Sequence, residues 1–271
     1  MKIYDCFMYF DEDLVLDIRL NTLNKIVDKF IICEATRDHA GNKKDLRFNK
    51  DKFANFKEKI EYIIVDDIPL NVNSKKKNWH ENHIRDQFQR NAINRGLKNC
   101  DPEDWIMISD IDEIPDPKKI KEFNVKNKYA CFLQKNFQSK INLLNVSEDY
   151  WAGTKICQKK YLKSPQWLRN IKVKKRPFWK IFSDKQPQLI KDAGWHFSFL
   201  KKPGSIIRKI KSYSHQEFNS SKFTDKKRIE DKIAKGEDLF EREIKYNVVD
   251  LDETFPDYIL KNKDKFKDWI A

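Results

Sequence analysis

The 271 residues carry 55 Lys and Arg against 42 Asp and Glu, a net charge of +13, with 39% apolar and 13% aromatic residues. That much aliphatic and aromatic content excludes wholesale disorder, and 6 Gly with 9 Pro exclude collagen-like and low-complexity chains. No apolar run approaches the roughly 20 residues that a bilayer core demands, and Asp5 with Asp11-Glu12-Asp13 breaks the N-terminal apolar stretch, so the expectation is a soluble, cytoplasmic chain without anchor or signal peptide.

Ile3 to Phe10 is an aromatic, β-prone run. Asp11 or Asp13 is placed to cap a helix whose apolar stripe is Leu16, Leu20, Leu23 and Val27. Lys29 to Glu34 reads as a short strand, followed by a polar loop with Thr36, Gly41, Lys43 and Lys44. Glu61 to Val65 is another strand, and Trp79 to Lys98 reads as a long helix. Trp105 to Ser109 is a buried strand that runs straight into Asp110-Ile111-Asp112-Glu113-Ile114-Pro115. Strands alternating with helices favour an α/β fold, a mainly parallel central sheet flanked by helices. In such sheets ligands bind beyond the carboxyl ends of the strands, where the acidic cluster falls.

Residues 129 to 199 are richer in β-like segments, clearest at Tyr129–Phe137 and Gln188–Leu200. The last part is helical and polar, with helices expected over Pro203–Tyr213 and from Asp225 to a stop at Gly236. No linker or repeat interrupts the chain. A single domain over residues 1–271 is expected, with a first half to about residue 125 and a second half from about 126.

The five cysteines show no C-x-x-C spacing; Cys6, Cys33 and Cys131 lie in strand-like runs, and the set reads as reduced core residues. Lysines are scattered along the chain without a nucleic-acid-binding motif, which reads as a solvated basic surface.

Asp110 and Asp112 are two apart, so on extended backbone they point the same way with Cα atoms roughly 6.5 Å apart. Hard divalent cations prefer such carboxylates together with substrate phosphate. The chemistry that wants this geometry is transfer from a nucleotide-diphosphate donor, because a metal neutralises the charge building on the leaving diphosphate. The alternative for either aspartate is a helix cap ahead of Pro115 or Pro117.

Arg85, Arg90 and Asn91 lie on the helix before the acidic strand, and arginine offers paired donors to a diphosphate. The competing role is ion pairing on the helix surface, since Glu81 and Arg85 are four apart. Such a transfer also needs a base for the acceptor hydroxyl. Glu217, beside His215, is the first choice, with Glu113 and Asp149 as alternatives. Trp151, Trp167, Trp179 and Trp195 either stack on sugar faces or fill the core.

Ser109-Asp110-Ile111-Asp112-Glu113-Ile114-Pro115 resembles the S-D-x-D-E-I-P motif of glycosyltransferase family 17, the β-1,4-mannosyl-glycoprotein β-1,4-N-acetylglucosaminyltransferase family. Further blocks follow in the same order: Ile3-Tyr4-Asp5-Cys6-Phe7, Ile18-Arg19-Leu20, Val27-Asp28-Lys29-Phe30, Glu34 with Gly41 and Lys43, Gly194-Trp195-His196-Phe197-Ser198, and Ser214-His215-Gln216-Glu217. The resemblance implies a GT-A-like fold, a UDP-sugar donor with UDP-GlcNAc first, a glycan acceptor, inversion to a β linkage, and a divalent metal, Mn²⁺ ahead of Mg²⁺. It implies donor-binding roles for Glu34, Thr36, Lys43 and Asp110. It also implies a metal shell of Asp110, Asp112 and His196, with His215 as the rival to His196. The alternatives are another donor (UDP-Gal, UDP-Glc or GDP-Man) on the same fold, a Mg²⁺-dependent phosphohydrolase, or a basic nucleic-acid-binding protein.

Overall fold

A computed structural model describes residues 1–70, 81–173, 185–212 and 218–271. The chain opens with β1 (Ile3–Met8), α1 (Asp13–Leu23) and β2 (Lys29–Ala35), then β3 (Ile60–Val65) and α2 (Glu81–Ala92). β1 and β2 are apolar on both faces, as strands covered by helices on both sides must be. Their neighbours β3 and β4 (Trp105–Asp110) complete a parallel block in the order β3-β2-β1-β4.

Beyond β4 the chain turns back through β5 (Glu113–Pro115) and α3 (Pro117–Ile120) into β6 (Tyr129–Gln138), β7 (Leu143–Asn145) and β8 (Trp151–Gln158). After α4 (Pro165–Arg169) come β9 (Gln188–Ile190) and β10 (Gly194–Ser198). Among the described residues these strands join one eleven-stranded sheet, closed at its far edge by β11 (Tyr246–Val248). The parallel arrangement predicted from the alternation holds for β1 to β4 and for β6 with β9 and β10, but not for the strands between. β8 runs antiparallel to both β4 and β6, and β7 runs antiparallel to β6, the β6–β7 connection being too short to carry a helical crossover.

The C-terminal region adds α5 (Pro203–Ser212), α6 (Lys226–Ala234), α7 (Asp257–Lys261) and α8 (Lys263–Phe266). α5 and α6 share a small core of their own around Ile206, Ile210, Ile229, Leu239 and Phe240. Elsewhere α1 and the C-terminal segment cover one sheet face with Leu16, Leu20, Phe255 and Phe266, while α2 and α4 cover the other with Ala92 and Leu168.

Several boundaries differ from the sequence reading for local reasons. The long helix is α2 only to Ala92 and continues as a 3₁₀ turn over Ile93–Leu97. Neither Asp11 nor Asp13 caps α1: Asp13 takes the Tyr9 hydroxyl at 2.6 Å, and Asp11 pairs with Lys201. Gln188–Leu200 is two strands, broken where Asp192 adopts φ 49° and Gly194 φ 131°. The stop at Gly236 stands, at φ 64°. All five cysteines are free, four of them buried.

Candidate active site

The acidic cluster does not continue as strand. β4 ends at Asp110, and Ile111 and Asp112 form a turn before β5. The two aspartates therefore face different partners, contrary to the extended-backbone expectation that they point together.

Below the turn lies a fully buried ion pair. Arg19 of α1 grips Asp5 of β1 with two bonds of 2.6 and 2.7 Å. The same guanidinium donates to the carbonyls of Asp110, Ile111 and Glu113 at 3.2, 3.0 and 2.9 Å and to Ser109 Oγ at 2.6 Å. One cation thus satisfies a buried carboxylate and three carbonyls, which is what makes its burial tolerable.

Asp110 sits between two arginines. Its Oδ1 accepts from Arg90 Nη2 at 3.1 Å and its Oδ2 from Arg169 Nη2 at 2.8 Å. Burial alone would raise its carboxyl, but Arg169 and Arg90 overcome this and hold it well below the usual carboxylate range. Arg169 also bonds Glu113 Oε1 at 2.7 Å. Glu113 is fully buried: Oε1 accepts from Trp151 Nε1 at 2.7 Å as well, and Oε2 accepts from the Asp110 amide at 3.1 Å. With both oxygens bonded, Glu113, an alternative base in the sequence reading, fixes the turn, Arg169 and Trp151. Behind it, Lys155 donates to the Arg169 carbonyl, and burial together with Arg169 pushes the Lys155 ammonium down to about 8.

Asp112 faces the other way. Its Oδ1 lies 3.7 Å from His196 Nε2 and its Oδ2 3.3 Å from Lys209 Nζ. His196 stacks on Trp151 with ring centroids 4.5 Å apart, and its buried Nδ1 has no hydrogen-bond partner. Glu12 Oε1 lies 3.9 Å from the same Lys209 ammonium and 2.8 Å from Lys201. Burial pushes the Glu12 carboxyl up, yet Lys201 and Lys209 bring it down to about 2. The Lys209 ammonium is held above its usual range: burial opposes the charge, and Asp112 and Glu12 more than offset it.

Asp112 and His196 are the donors that fit a divalent cation here. Their separation is short enough for one ion to touch both. Among the described residues no group of three or more His, Cys, Asp or Glu side chains is gathered for a metal. An ion held by this carboxylate and imidazole would draw its remaining ligands from water and substrate phosphate.

The other donor-site expectations divide. Glu34 is fully buried and accepts from Lys44 Nζ at 2.5 Å, the Arg47 and Phe48 amides at 2.9 and 3.0 Å, and Tyr62 at 2.8 Å. It shapes the loop after β2. Thr36 and Lys43 line a cleft of about 460 Å³ with Arg37, Lys44, Asp45 and Asp66 at the carboxyl ends of β2 and β3. Arg85 spends its donors on Glu81 at 2.6 Å and on the carbonyls of His39, Pro69 and Leu70, so it ties two loops together. Asn91 accepts from the Gln166 amide at 3.0 Å and docks α4 onto α2. Trp195 is core and bonds the Thr254 carbonyl at 3.0 Å, Trp167 packs on Tyr129, and Asp149 is exposed in the loop before β8. His215, Glu217 and Trp179 lie outside the described residues.

Arg19, Arg169 and Lys209 went unassigned in the sequence reading. Arg19 had a signal: it stands on the apolar stripe of its helix between Leu16 and Leu23, opposite an Asp inside an apolar strand. Arg169 ends a helix of five residues and carried none.

Gly194 positions this assembly through backbone alone. At φ 131° it pairs with Pro115, and a Cβ there would stand 2.2 Å from the Ile114 carbonyl oxygen. Gly194→Ala is expected to cost about 2–4 kcal/mol in urea unfolding, from strain plus an unavoidable backbone clash. A cost below 1 kcal/mol would mean that β10 can shift without disturbing β5.

Carboxylates paired with guanidinium and ammonium groups at the carboxyl ends of parallel strands define an α/β protein with a site suited to a charged, phosphate-bearing ligand. The chain matches glycosyltransferase family 17 over residues 1–268 and belongs to that family. It is similar to three curated proteins named beta-1,4-mannosyl-glycoprotein 4-beta-N-acetylglucosaminyltransferase. The rat protein is 23% identical over 282 residues, covering 93% of this chain and 51% of the relative. The human protein is 23% identical over 281 residues (93% and 52%), and the mouse protein 23% over 282 residues (93% and 51%). The chain spans about half the length of the curated relatives it matches. Among the described residues no helix is long and apolar enough to cross a membrane.

Proposed function

We propose that this chain is a metal-assisted, inverting glycosyltransferase of GT-A type, moving GlcNAc from UDP-GlcNAc to a glycan acceptor. The reading rests on family membership and on one observation: Asp112 and His196 face each other beside a turn flanked by Arg90 and Arg169. The donor sugar follows the names of the relatives.

The cleft at Thr36 and Lys43 receives the uridine end of the donor. Asp112 and His196 would hold Mn²⁺ or Mg²⁺, which supplies charge neutralisation on the departing diphosphate. Asp110 serves this site by orienting Arg90 and Arg169, whose guanidiniums face the same charge. Arg19 and Glu113 keep the turn rigid, so that little reorganisation is needed as charge develops. Trp151 and His196 wall the acceptor side. Glu217 is assigned as the base for the acceptor hydroxyl on the sequence pattern alone.

A thermal-shift panel of UDP-GlcNAc, UDP-Gal, UDP-Glc and GDP-Man, each with and without Mn²⁺, tests this. UDP-GlcNAc with Mn²⁺ at about a hundredfold over Kd should give the largest rise, about 5 °C or more. UDP release should then require an acceptor glycan. A larger shift with GDP-Man changes the donor; no shift with any nucleotide sugar ends the transfer reading.

A further inference from the structure

We propose that Lys209 is a resident cation of this site: it neutralises Asp112 in the ligand-free protein and passes to the donor's diphosphate when the donor binds. The inference rests on the function proposed above and assigns a diphosphate-binding residue outside the acidic turn.

The geometry carries it. Lys209 Nζ stands 3.3 Å from Asp112 Oδ2, while Asp112 Oδ1 faces His196. The ammonium thus shares the one carboxylate that a divalent cation would need, and it lies on the opposite oxygen from the imidazole. A lysine bound this way competes directly with an added cation, since one carboxylate cannot be fully neutralised twice.

Lys209 has somewhere to go. Its side chain is only partly buried, at 21% exposure, and the ammonium lies 5.4 Å from the centroid of the Phe199 ring. Lysine is a point charge on a flexible four-carbon stem with three donors, so it can exchange partners without moving its helix. α5 is held independently. Ile206 and Ile210 are buried in the small core shared with α6, and Lys201, just before the helix, pairs with Asp11 and Glu12. Breaking the Lys209–Asp112 contact therefore leaves the backbone of α5 in place.

The local charge balance favours the exchange. Asp11, Glu12 and Asp112 are matched by Lys201, Lys209 and, at the solvent edge 3.4 Å from Asp11, Arg208, three charges of each sign. A dication added at Asp112 makes this cluster positive, and a diphosphate offsets the excess. Lys209 keeps Glu12 as a second anchor at 3.9 Å and offers its other donors to phosphate oxygens.

The test uses metal and nucleotide separately, so that neither readout is activity. Mn²⁺ is titrated into nucleotide-free protein, with free Mn²⁺ followed by its electron paramagnetic resonance signal. Lys209→Met should bind Mn²⁺ about tenfold more tightly than wild type, because the competing charge is gone; Lys209→Arg should match wild type. UDP is then titrated by calorimetry at saturating Mn²⁺. Here Lys209→Met should bind about tenfold more weakly. A purely structural lysine would shift both affinities the same way, and Lys209→Gln with a melting curve guards against misfolding in one variant. Equal Mn²⁺ affinity in wild type and Lys209→Met overturns the competition, and unchanged UDP affinity overturns the diphosphate contact. Asp112→Asn separates this from the parent reading: if Mn²⁺ still binds that variant as it binds wild type, the metal is not held at Asp112, and both readings fall. If Asp112→Asn loses Mn²⁺ while Lys209→Met binds it no better, only the lysine inference falls.

Discussion

Arg19→Met will destabilise the protein by about 3–5 kcal/mol in urea unfolding, more than any surface substitution in the chain. The cause is what the change leaves behind. Asp5 is fully buried and its two oxygens bond only the Arg19 guanidinium among the contacts described. Without the guanidinium, that carboxylate must stay charged in an apolar layer or take up a proton, and both cost free energy. The carbonyls of Asp110, Ile111 and Glu113 lose a donor at the same time, at about 1 kcal/mol each where water cannot replace it. Asp5→Leu combined with Arg19→Met separates the two costs. The double variant removes the stranded charge and should recover about half of the lost stability. It leaves the carbonyls unsatisfied and the turn loose, so transfer should remain about a hundredfold down. Full recovery of both stability and transfer would mean that the turn holds its shape without the clamp.

That clamp also shows what the sequence could and could not reveal. β1, β2 and β4 were legible because strands covered on both faces are short continuous apolar runs, and the edge strand β3 because its residues are β-branched and aromatic. α1 was legible because Leu16, Leu20 and Leu23 recur at helical spacing. The turn after β4 was not. A D-x-D reads as extended backbone, and it is tertiary bonds that hold Ile111 and Asp112 in a bend, from Arg19 to the carbonyls of Asp110, Ile111 and Glu113 and from the Phe197 amide to the carbonyl of Asp112. Glu113 looked like a free acid because nothing in the sequence says that Trp151 and Arg169 come from 38 and 56 residues away to occupy it. Lys209 looked like one more solvated lysine on an amphipathic helix, since nothing local shows that α5 lies beside Asp112. Residues whose partners are close in sequence were readable. Those whose partners come from another layer were not.

Asp112→Asn should reduce transfer about a thousandfold or more at a stability cost of only about 1–3 kcal/mol. The two readouts separate because of where the side chain sits. Asparagine matches aspartate in volume, and the backbone bond from the Phe197 amide to the residue-112 carbonyl, 2.9 Å long, survives the change. What goes is the charge shared with Lys209 and facing His196, a largely buried interaction, and its loss is limited because Lys209 keeps Glu12 as a second carboxylate at 3.9 Å. Asp110→Asn provides the contrast. It withdraws the anion between Arg90 and Arg169, leaving two guanidiniums to repel each other across a packed seam between α2 and α4. That variant should lose both activity and thermal stability, and added salt should restore part of the stability by screening the repulsion. The pair of results assigns the two aspartates different work: Asp110 assembles the arginines, and Asp112 meets the cation. If Asp112→Asn retains wild-type turnover under chelation, or if Asp110→Asn proves as stable as wild type, that division is wrong and the geometry around the turn has been assigned to the wrong carboxylate.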